Sequence, residues 1–302
     1  MGDMMRIGVF GLGSMGYGVA QSLLRAGHQV WGFDPNRAQV EKFVGEGGKT
    51  GVAAAVADDL DIAVLVVLNA DQTRMVLTGD EGLIGRMPDG AGIISCATVS
   101  PDFAREMEAA AEAADLHYLD APISGGSVKA AEGRLSVMAA GRPAAFAAVK
   151  PALDAMAETI FQLGDSAGPG SAMKAVNQLL AGVHIAAMGE AMTFGMTQGV
   201  DPAKLVEVIS QCAGTSWMFE NRAPHVVRGD YTPHSAINIW PKDLGIVLDI
   251  ARQAKFGAPL TAAALQQFLA AAGSGLGGED DAAVAKVYAR NAGLTLPEGE
   301  NK

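Results

Sequence analysis

The sequence predicts an α/β domain built on a doubly wound parallel sheet, followed by an all-α domain, with a long interdomain helix joining the two. Three observations predict this. A GxGxxG turn lies between a strand pattern and a helix pattern near the N-terminus; strand and helix patterns then alternate to about residue 163; and from Ser171 onward apolar residues recur only at helical spacing.

The first element is an apolar strand over residues 7–10, running straight into the turn. A helix pattern through Met15, Val19, Leu23 and Leu24 follows and ends at Gly27, and a second strand over 30–33 ends in Asp34. This is the Rossmann-type order, and its glycines have separate uses. Gly11 makes the tight turn, Gly13 lets backbone approach a pyrophosphate, and Gly16 lets helix lie close on strand. Leu12, Ser14 and Met15 complete the turn, whose free helix amides face the phosphates. Asp34, 18 positions after Gly16, has the spacing of a carboxylate that accepts from the adenosine ribose hydroxyls. Such a carboxylate repels a 2′-phosphate, so the cofactor reads as NAD rather than NADP, although Arg37 stands near enough in sequence to meet that phosphate.

Further along, a helix is expected from residue 36, a strand over 62–68, a helix from 71, a strand over 92–96 and a helix over 101–114. Short strands over 118–119, 135–139 and 159–163 bring the sheet to about eight strands, and GDSAGPGS at 164–171 is the breaker. The domains are read as 1–167, binding NAD, and 168–302, helical. Helices are expected over 172–199, 202–210, 244–254 and 261–272, with a disordered tail, LTLPEGENK. The first of these helices spans roughly 40 Å at 1.5 Å per residue.

A chain of 302 residues with 49% hydrophobic content has ample material for packed cores. The net charge of −11, with no basic run, argues against nucleic acid and anionic membrane as partners. Two distant cysteines and five scattered histidines show no metal spacing, so no metal site is expected. The first strand starts too early to leave room for a signal peptide, and no apolar run approaches a membrane span, which points to the cytoplasm. The apolar, alanine- and glycine-rich second half suggests a homo-oligomer, a dimer or tetramer.

Ligands of doubly wound sheets bind beyond the carboxyl ends of the strands. Asn69 and Thr98 stand there, either beside a bound cofactor or as caps of the next helices. Ser124, Gly125 and Gly126 in DAPISGG supply a hydroxyl and amides suited to a carboxylate. Lys174 opens the long helix among apolar residues with Asn177 and Gln178 at i+3 and i+4, as an acid/base group or as a surface lysine. Lys242 stands at the start of a later helix, where a cation opposes the macrodipole and another role is suggested. Trp217 and Phe219 are pocket or core residues.

Together GLGSMG, DAPISGG, GSAMKAVNQ and KDLGIVLD resemble the β-hydroxyacid dehydrogenase family over nearly the whole chain. Within it, ISCATV at 94–99, NQLLAGVHIAAMGEAM at 177–192 and AGTSWMFENRAPHVVRGDYTP at 213–233 are similar to the branch that oxidises L-threonate. The resemblance implies NAD-linked oxidation of a small hydroxy acid with Lys174 moving the proton. It further implies Ser124, Gly125, Gly126 and Asn177 on the substrate carboxylate, Thr98 on NAD, and Lys242 completing the cofactor site. The family often carries two asparagines after the lysine; here the second is Gln178, whose longer amide suits a larger polyol acid. Other readings of the same motifs are action on 3-hydroxyisobutyrate or tartronate semialdehyde, and a non-catalytic NAD-binding sensor.

Overall fold

The structure, a computed structural model, describes residues 4–299. The chain forms two compact units, the first ending at Lys174 and the second beginning at Ala175. That seam falls after the break expected at residue 167.

The first unit carries, in chain order, β1 (Arg6–Phe10), α1 (Ser14–Arg25), β2 (Gln29–Phe33), α2 (Arg37–Gly45), α3 (Ala53–Ala57), β3 (Ile62–Leu65), α4 (Ala70–Thr78), β4 (Gly92–Ser95), α5 (Pro101–Glu112), β5 (His117–Asp120), β6 (Ile123–Ser124), α6 (Gly126–Glu132), β7 (Leu135–Ala139), α7 (Pro143–Met156) and β8 (Ala157–Gln162). A five-stranded parallel sheet has the order β2-β1-β3-β4-β5. Lys49 adds a one-residue parallel bridge outside β2, donating to Val30 O and accepting from Gly32 N at 2.8 Å each. Counting that bridge as a vestigial strand gives the 3-2-1-4-5-6 order of dinucleotide-binding sheets.

Alternate residues of each central strand feed opposite cores. Ile7, Val9, Ile62, Val64 and Ile94 join α1 and α7 on one face, while Phe10, Ala63, Leu65 and Ile93 join α5 on the other. Burial on both faces explains the continuous apolar runs, each large side chain removed from water contributing about 1.5–3 kcal/mol. On the first face α1 approaches α6 to backbone distance at Gly18. A Cβ at Gly18 would stand 2.5 Å from Ala131 N and 2.9 Å from Ala130 C.

The eight strands form two sheets rather than the single one expected. β6 runs antiparallel to β7, which pairs in parallel with β8. The change comes after β5, where Ala121–Pro122 redirects the chain so that β7 returns against it: Asp120 and Ala140 exchange backbone bonds of 3.0 and 2.8 Å in an antiparallel bridge.

The helix α8 (Pro169–Thr197) begins in the first unit and continues into the second, which then carries α9 (Pro202–Ile209), α10 (Trp217–Arg228), α11 (Ile239–Gln253), α12 (Pro259–Ala271) and α13 (Ala285–Asn291). Ile185, Met188, Phe219, Leu244 and Phe268 centre the helical core, with Trp240 stacked on Phe268 at 5.4 Å. Below Trp240 is a buried polar cluster. Asp281 accepts from Trp240 Nε1 at 3.0 Å and Arg222 Nε at 2.5 Å, and Asp280 lies 3.2 Å from His225 Nδ1.

Two expectations are corrected here. α8 is long and apolar enough, by length and composition, to cross a membrane, although half of its most apolar stretch is buried within the protein. The tail over residues 294–299 packs on the helical unit: Leu296 joins its core and backbone at 297–299 lies against Gly229. Residues 300–302 of that tail lie outside the described residues.

Candidate functional site

The glycine turn follows β1 as the motif requires. Gly11 has φ +96, and a Cβ there would strike the Val66 carbonyl, whereas a Cβ at Gly13 meets nothing within 4 Å. Gly16 abuts the Gly11 carbonyl, so helix and turn touch through backbone. Gly13 is the N-cap of α1 with no side-chain cap, leaving the helix-end amides beside exposed Ser14 and half-buried Met15 without that intramolecular acceptor. Asp34 is fixed by two backbone donors, Leu12 N to Oδ2 and Asn36 N to Oδ1, both 2.7 Å. The Leu12 amide therefore serves Asp34, and its side chain is fully buried. A carboxylate has about four lone-pair sites, so Asp34 can still accept from a diol. An uncapped helix start, an open glycine and a held carboxylate fit a dinucleotide.

Asn69 and Thr98 separate. Asn69 is the N-cap of α4, its Oδ1 accepting from Gln72 N at 2.9 Å. Thr98 caps nothing, because the N-cap of α5 is Ser100, which accepts from Phe103 N.

Lys174 lies on the second turn of α8, and its Nζ donates to Ile123 O at 2.9 Å. Ser124 comes next, and Gly125 (φ +139) and Gly126 (φ +79) turn the chain into α6 through conformations that favour glycine. Lysine and loop are thus brought together. Asp120, 1% exposed, sets this arrangement: it accepts from Gly168 N and Ser171 N at 2.9 Å and from Ser171 Oγ at 2.6 Å. Burial pushes its carboxyl above the ordinary range, and these donors pull against that.

In the second unit four side chains form a line. Asn177 Nδ2 donates to Gln178 Oε1 at 2.9 Å, Gln178 Nε2 to Asp243 Oδ2 at 2.5 Å, and Lys242 Nζ to Asp243 Oδ1 at 2.5 Å. Gln178, expected at the substrate, is 8% exposed with both ends of its amide engaged inside the protein. Lys242 does not begin its helix as expected, because α11 opens earlier at Ile239 with Pro241 in its first turn. Trp217 is exposed and Phe219 is core. Asp120, at the start of the DAPISGG segment, and Asp243, beside Lys242, are the residues to which sequence reading gave no role of their own. An aspartate ending a buried strand, and one following a lysine in an apolar helix, were the available signals.

Residues 6–164 match the family profile described as the NAD binding domain of 6-phosphogluconate dehydrogenase, and residues 168–288 match that of the NAD-binding region of NADP-dependent 3-hydroxyisobutyrate dehydrogenase. The chain is 47% identical over 292 residues to an L-threonate dehydrogenase of Cupriavidus necator, covering 96% of this chain and 97% of that one. It is 44% identical to an L-threonate dehydrogenase of Escherichia coli K12, covering 98% of each. A solved structure described as 3-hydroxyisobutyrate dehydrogenase from Salmonella typhimurium matches at TM-score 0.88 and 46% identity, over 94% of this chain and all of that one.

Proposed function

This chain belongs to the β-hydroxyacid dehydrogenase family, and from that premise we propose that it oxidises L-threonate to its 2-oxo acid with NAD. The observation that carries the reading is Lys174, whose Nζ is held at 2.9 Å by the carbonyl that precedes Ser124, Gly125 and Gly126. The loop receives the substrate carboxylate through the Ser124 hydroxyl and the glycine backbone. Lys174, with one N–H oriented by Ile123 O, takes the hydroxyl proton onto its neutral amine, and as an ammonium it returns that proton in the reductive direction. The bound nicotinamide supplies the hydride acceptor. Thr98 and Lys242 contact the cofactor, and Asp34 selects NAD by accepting from the ribose diol.

The L-threonate assignment is supported by two relatives that bear that name, and the name of the Salmonella structure favours 3-hydroxyisobutyrate as the second reading. NADH formation from both acids separates them, with NMR of the product fixing the oxidised carbon. A preference for 3-hydroxyisobutyrate overturns the first reading. A sensor would bind NADH and turn over neither acid. The enzyme is assigned to the cytoplasm as a dimer or tetramer, a state supported by exposed Phe194, Leu260 and Leu269 and tested by sedimentation.

A further inference from the structure

The segment over 164–171 has the glycine-rich composition of flexible chain, yet the first unit holds it at several points. Gly170 is pressed against the backbone of β5 and β7, where a Cβ would stand 2.6 Å from Asp120 O and 2.5 Å from Met138 O. Asp120 takes the amides of Gly168 and Ser171. A separate hold comes from α5: Glu108 Oε1 accepts from Ala167 N at 2.9 Å, and Ala167, 1% exposed, joins the core that Phe103, Ala104 and Met107 line. Helix bonding begins at once, with Ala172 N donating to Gly168 O at 2.8 Å. The peptide gripped by Glu108 is therefore the one through which the chain enters α8.

We infer that Glu108 is a positioning residue for Lys174, fixing the entry peptide of α8 and, through the first turn, the point from which the lysine reaches Ile123 O. The inference rests on the proposed function, since it needs Lys174 at the reacting hydroxyl. Asp120 caps the turn once the helix has begun, whereas Glu108 acts one step earlier, on the peptide that leads into it. Without that acceptor only the apolar contacts of Ala167 remain, and they leave the peptide free to rotate. A shift of about 1 Å at a reacting group costs up to roughly a hundredfold in rate. Charge is not what the hold requires. Burial pushes the Glu108 carboxyl above the ordinary range, opposed by the Ala167 N–H and Arg142 and assisted by Glu112 and Asp120. Ionised, protonated or replaced by an amide, the side chain keeps an oxygen that accepts from Ala167 N.

Glu108→Met and Glu108→Gln test this as a pair, at a half-buried position where methionine keeps the length of the side chain and removes the acceptor. The readout is the single-turnover rate of NADH formation from L-threonate at saturating NAD and acid. In Glu108→Met that rate should fall roughly ten- to a hundredfold, with the half-saturating acid concentration and NADH affinity within about twofold of the parent. Amide hydrogen exchange over 164–171 should quicken in the same variant. Glu108→Gln should restore both the rate and the protection, a rescue that loss of packing alone does not give. Glu108→Ala repeats the measurement with less bulk. A folded Glu108→Met or Glu108→Ala that reacts within about twofold of the parent, or a Glu108→Gln as slow as Glu108→Met, overturns the inference and leaves the functional reading standing. Lys174→Ala, measured alongside, overturns both if it keeps the parent's turnover.

Discussion

Ser171 holds Asp120 from two atoms, its backbone N–H 2.9 Å from Oδ2 and its hydroxyl 2.6 Å from Oδ1. The carboxylate at the end of β5 thereby caps the first turn of α8, one turn before Lys174. Asp120→Ala leaves buried donors without acceptors and is expected to lower stability by about 2–4 kcal/mol. Because small misplacements of reacting groups are costly, kcat should fall about tenfold or more, with NADH affinity unchanged. Thermal unfolding and steady-state kinetics check both, and a parent-like kcat separates Asp120 from the placement of Lys174.

Lys174→Ala should bind NADH as the parent does and lose roughly a hundredfold or more in turnover, the scale of a positioned acid/base group. In the parent, oxidation should quicken as pH rises, since only the neutral amine accepts the hydroxyl proton. The variant should lose that rise. A folded variant losing less than about tenfold assigns the proton to another group.

Asp34→Ser removes the carboxylate that accepts from Leu12 N and Asn36 N and faces the ribose in the proposed complex. The NAD to NADP ratio of kcat/KM should drop by about tenfold or more, with nearby Arg37 now able to meet a 2′-phosphate. Kinetics with both cofactors decide it, and an unchanged ratio takes Asp34 out of the ribose site.

His225 gives the helical unit a pH dependence. Burial lowers its pKa from 6.5, assisted by His234, Arg222 and Arg228 and opposed by Asp280. The unfolded chain therefore takes up this proton first, so the group's contribution is full above about 6.5 and is lost as pH falls through the folded value. Asp281, pushed up to about 6 by burial, has the opposite sign and adds stability as pH falls below that value. In the parent minus His225→Gln difference the Asp281 contribution largely cancels. That difference in melting temperature should shrink on acidification below about 6.5; a constant difference from about pH 8 to pH 5 contradicts the assignment.

Gly18→Ala puts a methyl carbon 2.5 Å from Ala131 N, a backbone atom that cannot swing aside. The expected loss is about 1–3 kcal/mol, measured by denaturant titration. A neutral result means that α1 and α6 can separate at little cost.

The first half of the molecule was legible because its signals are local: an apolar run, a glycine turn and a spaced acid all fall within residues 7–34. Partner choice was not legible, and so the split into two sheets was missed. Asp120 finds Ala140 only once Pro122 has redirected the chain. Helices α10 and α13 escaped because Pro224, His225 and Arg222 interrupt one apolar stripe, while the other spans only Ala285–Asn291. In the site, the lysine and the SGG loop were evident from residue type and neighbours. The bond from Gln178 to Asp243 joins residues 65 apart, and no spacing rule reaches across that interval.

Where Gly18 of α1 meets Ala130 and Ala131 of α6 the two helices approach to backbone distance, so their spacing there is set by atoms that cannot swing aside. One begins at the dinucleotide turn and the other at the loop proposed to receive the acid. In the proposed complex their spacing acts as a ruler, set when the chain folds and read by the bound acid. For the proposed reaction such a ruler measures how far the oxidised carbon lies from the carboxylate and is indifferent to what extends beyond it. Acids that differ at their far end are the natural direction for redesign, whereas moving the reacting hydroxyl along the chain requires these two helices to be built anew.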